Sequence, residues 1–249
     1  MNIKKSFFIL KNNFDNASRK LITIFAEPQN CICCGKMCYS LPLCKTCYQT
    51  QLSNINFDNR CSVCGKELIS EKDICLECRQ EKVLTHADFV FPIHSYKLWK
   101  KDLLFLWKMK NTKHLSELFA KIVDAVIRHF FNEKNIYLVP VPPRPGKIKE
   151  KGWDQIADLC KYLQYIHGYN VINLLKRINI EEQKSLNRSQ RLSHIEKSYE
   201  YNSKVKIPPD EVILIDDILT TGATTEACSK ILKEKGIKKV NVITLFYAD

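Results

Sequence analysis

Residues 212–225, Val-Ile-Leu-Ile-Asp-Asp-Ile-Leu-Thr-Thr-Gly-Ala-Thr-Thr, decide the fold of this 249-residue chain. Residues 212–215 are apolar without interruption, as a central parallel strand buried on both faces should be. Asp216 and Asp217 follow directly, and a run of small and hydroxyl residues then opens onto a helix predicted over 222–235. Ligands of open α/β sheets bind beyond the carboxyl ends of the strands. Here that end presents two carboxylates and then a cradle for an anion. Gly222 lets the backbone approach closely. The amides of residues 220–224 point at the anion, and the hydroxyls of Thr220, Thr221 and Thr224 add donors around Ala223. The helix N-terminus favours negative charge. The carboxylates can accept hydrogen bonds from vicinal ribose hydroxyls and help to hold a magnesium ion on a pyrophosphate. A plain strand-to-helix turn with threonine caps would explain Thr220, but not two adjacent acids at the end of a buried strand.

Outward from this run the pattern alternates. Strands are expected at 136–141, 169–175, 211–215 and 239–246, and helices at 153–167 and 222–235. Helices are also expected at 97–110 and 114–131, with one or two strands within 85–96. Residues 177–197 are polar and charged and read as a mobile loop. Strands alternating with helices imply an α/β fold with a parallel sheet covered on both faces.

The chain holds 12 cysteines, ten of them between positions 31 and 78. Four Cys-x-x-Cys pairs occur: Cys31/Cys34, Cys44/Cys47, Cys61/Cys64 and Cys75/Cys78. Gly35 and Gly65 follow the first and third pairs and relieve the tight backbone. Two such pairs complete a four-thiolate zinc site with no open coordination position, so two structural zinc sites are expected. Sequential grouping is the simplest assignment and interleaving is the alternative. Redox dithiols and an iron–sulfur cluster are the competing chemistries. Cys33 and Cys38 are surplus, and Cys160 and Cys228 fall inside predicted helices as core residues. His86 and His94 lie near the module, but the cysteine count is complete without them. Residues 31–80 are too poor in aliphatic side chains for an ordinary core. The expected organisation is therefore an amphipathic helix within 1–30, a double zinc ribbon over 31–80 and a larger α/β domain over 85–249.

The formal charge is +12 and the pI is near 9.1, which suits a polyanionic partner or simply a lysine-rich solvated surface. The short apolar run at residues 7–10 is too short for a signal core, and no stretch approaches a membrane span. A soluble, cytoplasmic protein with reduced thiols is expected.

Residues 212–225 resemble the signature of the type I phosphoribosyltransferases at every position of that pattern. The four cysteine pairs ahead of such a domain make the chain similar to the ComF competence family over nearly its whole length. Residues 139–144, Val-Pro-Val-Pro-Pro-Arg, look like that family's Pro-Val-Pro segment. Residues 151–155, Lys-Gly-Trp-Asp-Gln, resemble its Arg-Gly-Phe-Asn-Gln. Arg177, Gln183, Leu186 and Arg191 match a spaced Arg…Gln-x-x-Leu…Arg pattern. Lys151, Asp154, Ile180 and His194 depart from the family, where arginine, asparagine, threonine and asparagine stand.

The resemblance implies that Asp216 and Asp217 contact the ribose of phosphoribosyl pyrophosphate (PRPP), bound with magnesium, and that the loop after them takes the 5′-phosphate. It places pyrophosphate beside Pro142. Arg144 and Lys147 flank that segment, and Arg177, Lys184 and Arg191 populate the loop that could close over it, with Gln183 among them. It also implies a part in natural transformation and DNA uptake, with single-stranded DNA and uptake-machinery proteins as partners. Two readings stand: a binding protein serving DNA uptake, or an active phosphoribosyltransferase acting on an unidentified base or amine. Lys100, Lys101, Lys108, Lys110 and Lys113, with Trp99 and Trp107, could form a basic aromatic strip for a single strand. The alternative is that Trp99, Leu103, Leu106 and Trp107 are core and the lysines solvated.

Overall fold

The structure, a computed structural model, describes residues 29–39, 41–110, 112–131, 136–146, 148, 150, 152–178, 195, 197–205 and 208–248. The helix expected over 3–26 and most of the loop expected over 177–197 lie outside the described residues.

Strand β1 (Gln29–Asn30) pairs antiparallel with β2 (Met37–Cys38), across the first cysteine turn. A helical turn α1 (Lys45–Cys47) runs into a wider turn at Tyr48–Leu52. In the second cysteine repeat α2 (Leu76–Gln80) takes the place of α1. The larger unit follows as β3 (Phe89–Ser95), α3 (Trp99–Met109), α4 (His114–Phe130), β4 (Tyr137–Pro140), α5 (Gln155–Tyr162), β5 (Asn170–Val171), β6 (Leu175–Arg177), β7 (Tyr199–Tyr201), β8 (Glu211–Leu219), α6 (Ala223–Glu234) and β9 (Lys239–Tyr247).

Five strands make one all-parallel sheet in the order β3-β9-β8-β4-β5. Its centre is β8, and residues 212–215 are fully buried as their composition predicts. Successive side chains go to opposite faces. Ile213 and Ile215 pack with Trp107, Phe119 and Leu159 of α3, α4 and α5. Val212 and Leu214 pack with Ala227, Cys228 and Leu232 of α6. Cys160 and Cys228 are buried core thiols, as their helical positions suggest.

Two elements differ from the sequence reading. Strand β8 does not stop at Ile215 but carries both acids and runs to Leu219, still in register with β9 at Asp216↔Thr244 and Leu219↔Tyr247. The strand expected over 169–175 is two short strands in different sheets: β5 extends the parallel sheet, and β6 pairs antiparallel with β7. The short polar break at Asn173, exposed between them, separates the two.

The cysteine repeats straddle the sheet at its β3 edge. Cys31, Leu43, Cys47 and Leu52 join the cluster on the α3–α5 face, whereas Cys61, Cys64, Leu68 and Leu84 join the cluster on the α6 face. An edge strand offers unpaired carbonyls, and Arg60 takes two of them. Its guanidinium donates to Pro92 O at 2.6 Å, Ile93 O at 3.2 Å and Gly65 O at 2.9 Å, and lies 4.1 Å over the Phe91 ring.

His94 ties the first repeat to the same strand: its Nε2 donates to Leu52 O at 2.7 Å. Burial, then the charge of Lys100, push this imidazole down to about 4, with the Leu52 bond opposing. Between pH 6.5 and 4 the unfolded chain therefore holds a proton that the folded chain refuses, and stability falls as pH falls through that window. By pH 4.5 the loss is roughly 3 kcal/mol. His94→Gln should lose correspondingly less between pH 7.5 and 4.5, as read from denaturant midpoints of both proteins at both pH values. Equal losses would contradict the assignment.

Candidate functional site

The acid pair opens onto a cleft because β4 leaves. Val141 N still donates to Ile215 O at 3.0 Å. Pro142 and Pro143 come next and have no N–H, so pairing to β8 ends there. The β4 side of β8 is uncovered from Asp216 onward. A cleft of about 340 Å³ fills the gap, and it brings together Pro142, Arg144, Arg177, Asp216, Asp217, Thr220 and Thr224. Of the other pyrophosphate-side residues expected from sequence, Lys147, Gln183, Lys184 and Arg191 lie outside the described residues, as do the departures Lys151, Ile180 and His194.

The two acids have different surroundings. Asp217 is buried. Its Oδ1 lies 2.7 Å from Lys108 Nζ, and its Oδ2 accepts from Gln155 Nε2 at 2.9 Å. Asp216 is half-buried and accepts from the Asp217 amide at 2.8 Å. Lys108 comes from α3 and Gln155 from the first turn of α5. Asp154 caps α5 by accepting from the amides of Ile156 and Ala157, both at 3.3 Å. Aspartate and asparagine cap equally well, so the departure at Asp154 leaves the placement of Gln155 intact.

Arg177 sits at the end of β6 with its guanidinium 5.3 Å over the Tyr199 ring. Burial raises the Tyr199 hydroxyl to about 12, helped by the Cys228 thiol and Asp216 and opposed by Arg177 and a hydrogen bond with Thr224. Arg144 reaches Glu150 at 2.7 Å at the exposed lip. The cleft floor is thus acidic and its rim cationic, which suits a sugar carrying phosphates.

The loop 220–222 turns into α6 through Gly222, at φ +81°. Gly222 offers no capping side chain, and the Thr221 hydroxyl accepts from the Ala223 amide at a long 3.4 Å; a helix start capped this weakly suits an anion. Thr220 and Thr221 are exposed, Thr224 is half-buried and Ala223 is buried.

Lys108, Tyr199 and Glu226 were not singled out for this site from the sequence. In the sequence Lys108 falls in the lysine–tryptophan strip, and the fold breaks that strip. Trp107 is fully buried against Phe119 and Trp153, and its Nε1 donates to Ser116 Oγ at 2.9 Å, so it cannot stack on bases. The helical register of Leu103, Leu104 and Trp107, all buried, marks the inward face of α3 and was the available signal.

The cysteines group sequentially. Cys31, Cys34, Cys44 and Cys47 form one set and Cys61, Cys64, Cys75 and Cys78 the other, each with all Sγ atoms within 4.8 Å of one another. Sγ separations of 3.8 Å (Cys34–Cys44) and 3.7 Å (Cys64–Cys75) match the ~3.8 Å edge of a tetrahedron with ~2.3 Å zinc–sulfur bonds. The turns are alike: Gly35 N donates to Cys31 O and Gly65 N to Cys61 O, and the amides of Cys44 and Cys75 donate to the thiols of Cys31 and Cys61. Burial opposes ionisation of Cys31 and Cys61, but backbone N–H bonds outweigh it and hold them near 6 and 7 respectively. The two sets fit metal ions of zinc type, whose chemistry there would be structural closure. Cys33 and Cys38 are outside both sets, and Cys38 Sγ donates to Leu41 O at 3.1 Å.

A parallel α/β sheet with an acid pair and a glycine turn at the C-terminal end of its central strand, preceded by two four-cysteine sets that fit zinc, defines an open α/β domain joined to a cysteine-rich metal module. No family model matches the chain. Competence protein ComFC of Streptococcus pneumoniae is 30% identical over 205 residues, spanning 82% of this chain and 86% of that protein. Competence protein ComFC of Bacillus subtilis is 25% identical, spanning 77% and 79%. Competence protein F of Haemophilus influenzae is 24% identical, spanning 80% and 88%. Among solved structures, an adenine phosphoribosyltransferase aligns with a TM-score of 0.36 at 17% identity, over 55% of this chain and 71% of that one. The chain belongs to the ComF competence protein family. Among the described residues no helix is long and apolar enough to cross a membrane.

Proposed function

We propose that the cleft at the end of β8 binds PRPP with magnesium, and that the protein serves DNA uptake in natural transformation from the cytoplasm. The observation that carries the binding claim is convergence: Asp216, Thr220 and Thr224 at and beyond the end of β8 and the cations Arg144 and Arg177 come from three separate segments and line one cleft. Asp216 supplies an acceptor for ribose hydroxyls, the start of α6 takes the 5′-phosphate, and the arginines lie where a magnesium-bound pyrophosphate would extend. The larger unit over 85–249 holds this site, and the ribbon over 31–80 supports it. The names of the relatives, competence proteins, supply the competence context; single-stranded DNA and the uptake machinery are the partners this reading assigns.

The test is calorimetric titration of PRPP with magnesium into wild type and Asp216→Asn, a change that leaves the Lys108–Asp217 pair intact. Loss of a charged acceptor should weaken binding about 10- to 100-fold. Unchanged affinity would remove the ribose assignment. Pyrophosphate release against a panel of bases and amines separates binding from turnover: release with one acceptor makes the protein a phosphoribosyltransferase.

A further inference from the structure

We propose that Val83, Leu84 and Glu226 are positioning residues that strap the phosphate loop to the second cysteine site, so that the order of residues 220–224 depends on the metal held there. The connection leaving Cys78 crosses directly over the loop on its way to β3. A Cβ at Gly222 would stand 3.0 Å from Leu84 Cδ2 and 3.7 Å from Val83 Cγ1, so the loop lies against the strap as closely as its glycine permits. Leu84 is 6% exposed and belongs to one apolar cluster with Cys61, Cys64, Cys75 and Leu219, the last residue of β8 before the loop. The thiol set, the strap and the loop are therefore a single packed unit, while the first cysteine set packs on the opposite face of the sheet. A cavity of about 390 Å³ between this second module and residues 219–222 is closed on one side by Val83 and Leu84.

The strap also neutralises a liability. Glu226 stands in the first turn of α6, where an unpaired carboxylate would oppose a phosphate. The strap turns it away. Its Oε2 accepts from the amides of Thr85 at 2.8 Å and His86 at 3.1 Å, and its Oε1 accepts from the Thr85 hydroxyl and from His86 Nδ1 at 2.6 Å. Leu84 presses the loop from one side and Thr85–His86 hold the helix start from the other. Loosening the strap both frees the loop and returns a carboxylate to the phosphate site. The ligand-affinity part of this inference rests on the phosphate reading of the loop, whereas the loop-order part does not.

The experiment is hydrogen exchange of the full chain, read on peptides covering residues 218–226, in wild type, Cys75→Ser, Cys44→Ser, Leu84→Ala and Leu84→Met. Cys75→Ser and Leu84→Ala should speed exchange of the loop at least tenfold. Cys44→Ser, which disables the other site, should change it less than twofold, and Leu84→Met should restore protection. Protection of β9 should stay at the wild-type level throughout, which a general loss of stability would not allow. PRPP with magnesium, titrated into the same proteins, should bind at least tenfold more weakly to Cys75→Ser and Leu84→Ala. Equal exchange in Cys75→Ser and Cys44→Ser overturns the proposal, and it does so even if Leu84→Ala fails to fold. Failure of wild type to bind PRPP would sink the ligand reading alone, because the exchange comparison still decides the strap.

Discussion

Gly65→Ala is expected to destabilise the protein by about 3–5 kcal/mol, while the corresponding change in the twin repeat, Gly35→Ala, costs only about 1–2 kcal/mol. The two glycines occupy the same turn, at φ +69° and +74°, and donate the same backbone bond to the first cysteine of their set. The strain of a left-handed alanine is common to both. What differs is the neighbour. A Cβ at Gly65 would lie 2.0 Å from Val90 O and 2.7 Å from Pro92 Cδ, whereas at Gly35 nothing lies within 4 Å. Val90 and Pro92 are backbone and ring atoms of a strand fixed by β9, so they cannot yield. The second module would have to move off the sheet, taking with it the Arg60 bonds to Pro92 and Ile93. Urea or guanidinium midpoints of the two variants measure the difference. Equal costs would mean that the second repeat is not seated on β3 as described.

Lys108→Met should cost about 2–3 kcal/mol, and adding Asp217→Asn should recover about half of that. Removing one partner of a buried ion pair leaves the other charge unpaired. Asp217 is 10% exposed at its side chain and Lys108 29%, so the penalty falls below that of a fully buried pair. Asparagine at 217 removes the stranded charge and can still accept from Gln155. A double-mutant cycle by denaturant unfolding should show coupling of about 1–2 kcal/mol. Additive effects would show that the 2.7 Å contact contributes nothing to stability.

What could be read from the chain was whatever is local. The four Cys-x-x-Cys pairs grouped in sequence because each set closes within a 17- or 18-residue span (Cys31 to Cys47, Cys61 to Cys78). The apolar run 212–215 announced a doubly buried strand, and α3 and α4 fell within a few residues of their expected bounds. The end of β8 was misplaced because two carboxylates read as the start of a loop. In the fold, β9 continues to supply partners past them while the prolines after Val141 withdraw β4, and that asymmetry is set by distant residues. For the same reason Lys108 escaped notice: it sits 109 positions before Asp217, and only the packing of α3 against β8 aims it there. The placement of the two cysteine repeats on opposite faces of one sheet has no local signature either, since their turns are nearly identical and only their contacts with β3 differ.

The most direct measurement of the central claim is the electron density of the protein crystallised with PRPP and magnesium. A 5′-phosphate is expected on the amides of residues 220–224, with ribose hydroxyls within hydrogen-bond distance of Asp216 and pyrophosphate extending toward Arg144 and Arg177. A loop without ligand at saturating PRPP, or density seated elsewhere on the molecule, would contradict that claim.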